Sequence, residues 1–316
     1  MQKTAFTRGG RAFFLLRLFY FVLLVAAADF AAGKLLGFFY ARQRSGNEFA
    51  TRFAAEETKA DMVILGASRA QQQYIPTCFE DSLKLTCFNA GRDGTPFFYH
   101  YAMLQAILKR YTPKVVVLDC EYMLLKQSAL SYDRLSCLLP LYRSHPEMRS
   151  VINLKSDLEK YKLISAIYPY NSMVFKIAVG NIKKLDSSQF INGYVPLFEE
   201  LSQPIKTYDC TQPYELDTIK TSMLRSFVDE CNKKNIKLFF VCPPYYMKTI
   251  GTDYSLAVTK QIAKETNTAF FDYSQDTAYQ SKPYLFEDTV HLNHTGAKIF
   301  CEALASKLKR EINKTP

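Results

Sequence analysis

The sequence predicts an α/β fold, a three-layer α/β/α sandwich around a five-stranded, mainly parallel sheet. Five short apolar runs, at 61–65, 85–89, 114–119, 236–242 and 269–272, have the length and the β-branched or aromatic content of buried strands. Segments 97–111, 216–234, 254–265 and 294–312 alternate apolar and polar side chains at helical spacing. Strands alternating with helices imply a parallel sheet covered on both faces, with functional groups gathered at the carboxyl ends of the strands. At 316 residues the chain is long enough to bury such a core without disulfides or metals.

In chain order, residues 1–11 read as a basic cytoplasmic tail and 12–33 as a transmembrane anchor. The run AFFLLRLFYFVLLVAAADFAA is long enough to cross a bilayer core as a helix. Arg17 and Asp29 lie towards its two ends, where snorkelling avoids the roughly 2.5–3.5 kcal/mol that a central charge costs. Ala26-Ala27-Ala28 also suits a signal-peptide cleavage site, so an uncleaved anchor and a cleaved leader both remain open. Residues 34–59 read as a juxtamembrane linker, with 42–59 also suited to an amphipathic helix. Residues 60–316 form the main domain. The Leu- and Tyr-rich interval 122–213 breaks its rhythm and is expected to be an inserted helical cap.

The formal charge of +10 suggests nucleic acid, but its distribution argues against that partner. Residues 1–44 carry seven basic side chains against Asp29 alone, which leaves only +4 on the other 272 residues. The excess flanks an apolar segment and so reads as a topology signal. The eight cysteines contain no CxxC pair, which removes zinc-ribbon and thioredoxin readings. Pairing of Cys78 with Cys87 is left open by spacing alone.

Three places carry candidate chemistry. The first strand runs into Gly66-Ala67-Ser68-Arg69, which puts a Ser at a strand-to-helix turn. There its own N–H faces developing negative charge, although a helix N-cap asks for the same residue. Near the far end, Asp288 precedes His291 by three residues at the start of the last helix. That spacing lets the carboxylate hold one imidazole nitrogen while the other acts as a base. A capping Asp beside a surface His, or a metal held by Asp288, His291 and His294, are the competing readings. Between them the loop from Asn89 to Gly94 can turn a backbone N–H towards the nucleophile, or can simply be a glycine turn.

Together these blocks resemble the SGNH (GDSL-like) hydrolase superfamily. Gly66-Ala67-Ser68 stands where the family has Gly-Asp-Ser, Asn89 and Gly94 match its second block, and Asp288 and His291 match its last. Gly-x-Ser-Arg beside a membrane anchor is most similar to the branch related to DltD and the envelope-polysaccharide acetylation proteins. The resemblance covers about residues 60–125 and 235–310. It implies a flavodoxin-like sheet, a Ser68-His291-Asp288 triad, an oxyanion hole from Ser68 and Gly94 with Asn89 as a further donor, and no cofactor or metal. After the third strand the family supplies an Asn donor, whereas this chain reads Leu118-Asp119-Cys120-Glu121. A carboxylate accepts and cannot donate, so Glu121, with Arg69, is expected instead to bind substrate.

The expected function is an extracytoplasmic serine esterase or O-acyltransferase, acting on acyl groups such as acetyl on envelope glycans or glycolipids. The alternative is a catalytically silent module that binds polysaccharide or scaffolds envelope-assembly partners, which the altered third block favours. Because the basic flank precedes the apolar run, alkaline phosphatase fused after Pro316 should be active outside the cytoplasm. A fusion active only in the cytoplasm would reverse the orientation.

Overall fold

The computed structural model describes residues 8–182, 192–202 and 204–314; most of the basic tail and residues 183–191 and 203 of the insertion lie outside it. In chain order the strands are β1 (Met62–Leu65), β2 (Cys87–Asn89), β3 (Val115–Asp119), β4 (Thr207–Asp209), β5 (Lys237–Cys242), β6 (Lys248–Ile250) and β7 (Ala269–Asp272). The expected runs form one sheet in the order β2-β1-β3-β5-β7, with every neighbouring pair parallel. This is the doubly wound, flavodoxin-like order. Strands β4 and β6 form a separate parallel pair. It was not expected, because three-residue strands with largely exposed side chains carry no readable period.

Alternation along the strands divides the core into two layers. Val63 and Leu65 of β1, Val116 and Leu118 of β3 and Phe240 of β5 face one side, under the helices Phe97–Arg110 and Thr218–Lys233. Met62, Ile64, Val115, Val117 and Phe239 face the other, under the helix Pro76–Leu83 and the last helix, His294–Asn313. Leu135, Leu138, Met148 and Ile152 of the insertion join the first layer, so the insertion shares the domain's core. All eight cysteines are free thiols; Cys78 and Cys87 are not joined.

The amino-terminal helix α1 runs unbroken from Arg8 to Arg42, and α2 (Gly46–Glu56) follows after a short break. Much of the expected linker is therefore helical. The reason is packing: Tyr40 is buried with Met173 and Ile177 of the insertion, and Nδ2 of Asn181 donates to the Phe39 carbonyl at 2.9 Å. Helix α2 is then fixed by Arg92, which pairs with Glu48 at 2.8 Å where both side chains are buried. The helix is long and apolar enough to cross a membrane, with a mean hydropathy of 2.1 in its most apolar stretch.

The sheet is wound outward from β1, so the crevice at its carboxyl edge opens between β1 and β3. Gly66 makes that crevice narrow. A Cβ there would lie 2.5 Å from the Cβ of Ala70 and 2.6 Å from that of Asp119. Gly66→Ala should therefore push β3 and the helix after Ser68 apart and cost about 1–3 kcal/mol, measured by urea unfolding. A variant as stable as wild type would show that the crevice has slack.

Candidate active site

Ser68 begins the short helix α3 (Ser68–Gln73) three residues after β1 ends, at the carboxyl edge of the sheet. Its Oγ lies 2.8 Å from Nε2 of His291. The other ring nitrogen, Nδ1, lies 2.8 Å from Oδ2 of Asp288. Oδ1 of Asp288 accepts from the backbone N–H of Val290 at 2.7 Å and of His291 at 2.8 Å. Partial burial of Asp288 opposes ionisation, but the His291 hydrogen bond and charge and the two backbone donors outweigh it and hold the carboxyl below its usual range. Both nitrogens of His291 are thus committed. His294 points elsewhere, with Nδ1 2.9 Å from the Tyr194 hydroxyl and its ring against Phe198.

The turn that carries Asp288 and His291 is braced from several sides. Phe286 and Leu292 form a β-bridge across it. Nε2 of Gln73, in the Ser68 helix, donates to the Val290 carbonyl at 3.0 Å, and the Tyr246 N–H donates to the Thr289 carbonyl at 3.1 Å. Asn293 caps the last helix by accepting from the Gly296 N–H, and its amide donates to the Tyr284 and Glu199 carbonyls. Serine and histidine are therefore held by elements that also bond to each other.

One expected donor, Asn89, has a structural duty instead. Nδ2 of Asn89 donates to the carbonyls of Ala70 at 2.7 Å and Tyr74 at 2.9 Å, and its Oδ1 accepts from the Gly91 N–H. Asn89 is fully buried, and with both amide protons spent it has none for an oxyanion. Around it the Ala90 and Arg92 N–H groups donate to Ile64 and Gly66, that of Asp93 to Gln71, and that of Thr95 to Arg92. Gly94, in a turn at φ +69°, is the residue whose N–H keeps no partner among the described residues. Arg69, expected to bind substrate, is buried, with its Nε and Nη1 keeping no partner among the described residues. It is only 2% exposed, its Nη2 donates to the Pro243 carbonyl at 2.6 Å, and its guanidinium lies 3.6 Å from the centre of the Tyr245 ring.

Asp119 and Tyr74 complete the floor, and sequence reasoning gave neither a role. Oδ2 of Asp119 accepts from the Tyr74 hydroxyl at 2.9 Å, while its Oδ1 is buried without a partner. Burial raises the Asp119 pKa, against the favourable charge of Arg69 and the Tyr74 hydrogen bond. A carboxylate at the end of a central strand, close to Ser68, was the available signal. Glu121 instead lines a cavity of about 150 Å³ with Thr95, Ser128, Ser131, Arg134 and Lys220. Burial and the like charge of Asp119 push its pKa up to about 7, with Arg69, Lys220 and Arg134 opposing.

No protein-family model and no curated protein matches the chain. Among solved structures, the acetyl xylan esterase AlAXEase is similar at 16% identity, with a TM-score of 0.39 over 79% of this chain and 99% of that one. The acetylxylan esterase Axe2 of Geobacillus stearothermophilus is similar at 14% identity, with a TM-score of 0.39 over 82% of this chain and 96% of that one. Likeness at that level leaves the reading of this site to its own side chains.

The Glu121 shift makes stability depend on pH. With a folded pKa near 7 and a lower unfolded one, the native state binds the extra proton between the two values, so stability falls as pH rises through that window. Between about pH 5 and about pH 8, wild type should lose melting temperature relative to Glu121→Gln. Parallel curves for the two proteins would place Glu121 in a more hydrated setting.

Proposed function

We propose that the protein is a serine esterase or O-acyltransferase of the SGNH type, with Ser68 as nucleophile, His291 as general base and Asp288 as its orienting carboxylate. The observation that carries this reading is the continuous hydrogen-bond chain from Ser68 Oγ through His291 to Asp288. A hydroxyl at that distance from a neutral imidazole nitrogen can give up its proton as it attacks. Asp288 fixes the tautomer with hydrogen on Nδ1, which leaves Nε2 free to accept.

In the first half-reaction Ser68 Oγ attacks the ester carbonyl carbon and its proton passes to His291 Nε2. The negative oxygen of the tetrahedral intermediate is stabilised by backbone N–H groups, for which Ser68 and Gly94 are the candidates. Collapse breaks the bond to the leaving alcohol, which takes the proton from His291 and leaves an acyl group on Ser68. Water or a sugar hydroxyl then attacks that acyl carbon and gives its proton to His291; the bond from the carbon to Ser68 Oγ breaks, the acid or new ester leaves, and Ser68 takes the proton back from His291. Atoms and charges balance without a cofactor.

The substrate class proposed is acyl esters, such as acetyl, on envelope glycans or glycolipids. Two features support it: the apolar helix α1 that leads into the domain, and the basic residues Arg8 and Arg11 at the start of that helix, which favour an anchored enzyme with its site outside the cytoplasm. A silent binding or scaffolding module is the second reading. It is favoured by the carboxylates Asp119 and Glu121, which stand where the family resemblance expects an amide donor.

Ser68→Ala and His291→Ala should each lower turnover of p-nitrophenyl acetate by about 10⁴-fold or more, and Asp288→Asn by less. Melting temperatures should change little. A fluorophosphonate probe should label wild type and not Ser68→Ala. Wild-type protein that neither labels nor turns over ester would favour the silent module, and full activity in His291→Ala would remove the proposed base.

A further inference from the structure

Helix α1 does not leave the domain as a free stalk, because the insertion grips it within its apolar stretch. Asp29 accepts from the N–H groups of Ala166 at 2.6 Å and Ile167 at 3.3 Å and from the Ser165 hydroxyl. Beside it Gly33 admits Ala166 so closely that a Cβ there would lie 2.4 Å away, and Gly37 admits the Tyr170 hydroxyl. At about 1.5 Å per residue, Asp29 lies about 25 Å along the helix from Ala12. A bilayer core is about 30 Å thick. If the core begins at Ala12, the 165–167 backbone stands inside its far edge.

That backbone is built for such a place. Non-helical chain at membrane depth must satisfy its polar groups within the protein. Asp29 takes the two N–H groups, and Nη2 of Arg143 reaches the carbonyls of Leu163 at 2.8 Å, Ile164 at 3.3 Å and Ser165 at 3.4 Å. Outside this polar seam several large apolar side chains are bare, with Ile164 77% exposed, Phe175 79% and Ile182 82%, among exposed polar ones such as Lys162 and Asn171. Between the insertion and α1 runs an apolar groove of about 570 Å³, lined by Phe21, Val22, Val25 and Phe30 on the helix and by Ile164 and Ala166 opposite. Arg143 stands at the same groove, and Lys160 and Lys176 are exposed on the same insertion.

We infer that the insertion, from about residue 158 to 182, is seated in the membrane leaflet on the domain's side, with phospholipid acyl chains filling the groove against α1. The inference rests on the reading of α1 as a membrane anchor. Lipid is favoured as the occupant over a protein partner because the groove is lined on one side by the lipid-facing surface of α1 itself.

The absence of Trp from the chain gives a clean test, because one introduced indole is the sole Trp emitter. Ile164→Trp, Phe175→Trp, Phe21→Trp and Tyr254→Trp, each in the full chain, are placed in vesicles of phosphatidylcholine and phosphatidylglycerol. Emission is compared with and without bromine on the acyl chains. Phe21→Trp should be quenched and Tyr254→Trp should not. The inference expects blue-shifted emission and clear loss of intensity for Ile164→Trp or Phe175→Trp, both at exposed positions that tolerate the ring. If Phe21→Trp is quenched while both insertion variants behave like Tyr254→Trp, the seat is overturned and the anchor stands. If Phe21→Trp is itself unquenched, the anchor reading fails and the inference falls with it.

Discussion

The site depends on holding one imidazole ring between two oxygens that come from opposite ends of the chain. Ser68 and His291 are more than two hundred residues apart in sequence, and a displacement of an ångström would break the 2.8 Å contact between them. The fold meets this constraint by packing the last helix directly on the helices after Ser68. The thiol of Cys301 donates to the Gln73 carbonyl at 3.1 Å and lies 3.1 Å from the Ile75 N–H. Gln73 in turn reaches Val290, next to His291. The helix of Ser68 and the turn of His291 are therefore positioned by the same buried contacts, and those contacts stand on the face of β1 and β3 that Ile64 and Val117 cover.

Beneath the ring the chemistry is less ordinary, because Arg69 and Asp119 are both buried in the floor. Burying a charge without compensation is expensive, and removing one partner would leave the other stranded. Here the charge of Arg69 is shared between two proline carbonyls and the Tyr245 ring, and Asp119 takes the Tyr74 hydroxyl. Tyr74 itself packs edge-on against Phe300 of the last helix. The floor thereby couples β3 to the residue that follows α3 through a polar contact and to the last helix through a ring contact, while Arg69 Nε and Nη1 and Asp119 Oδ1 stay buried without a partner among the described residues.

Much of this was legible in the sequence, for a physical reason. Buried parallel strands must be continuously apolar, so all five could be found from composition and length alone, to within two residues at each end. Asp288 and His291 were legible because a three-residue spacing on a turn forces proximity whatever surrounds it. Asn89 misled and Arg69 proved buried, because a polar residue beside a candidate nucleophile looks the same in sequence whether it faces the substrate or ties down the backbone. The distinction lies in burial, which residues distant in sequence decide: Pro243 and Tyr245 for Arg69, and Ala70 and Tyr74 for Asn89. The extension of α1 was hidden for the same reason, since the insertion partners that keep 34–42 helical lie more than a hundred residues away.

The loop after β2 shows how a buried side-chain amide can fix the backbone beside it. Its backbone is pinned residue by residue, with Ala90 on Ile64, Gly91 on the Asn89 side chain, Arg92 on Gly66, Asp93 on Gln71 and Thr95 on Arg92. Gly91 has to be glycine because any Cβ would sit 2.6 Å from the Gln71 nitrogen of the helix that begins at Ser68. Gly94 has to be glycine for another reason, the positive φ of its turn. The loop is thus held firmly, and within it the Gly94 N–H keeps no partner among the described residues. Asn89 contributes by bracing the peptide next to it against Ala70 and Tyr74.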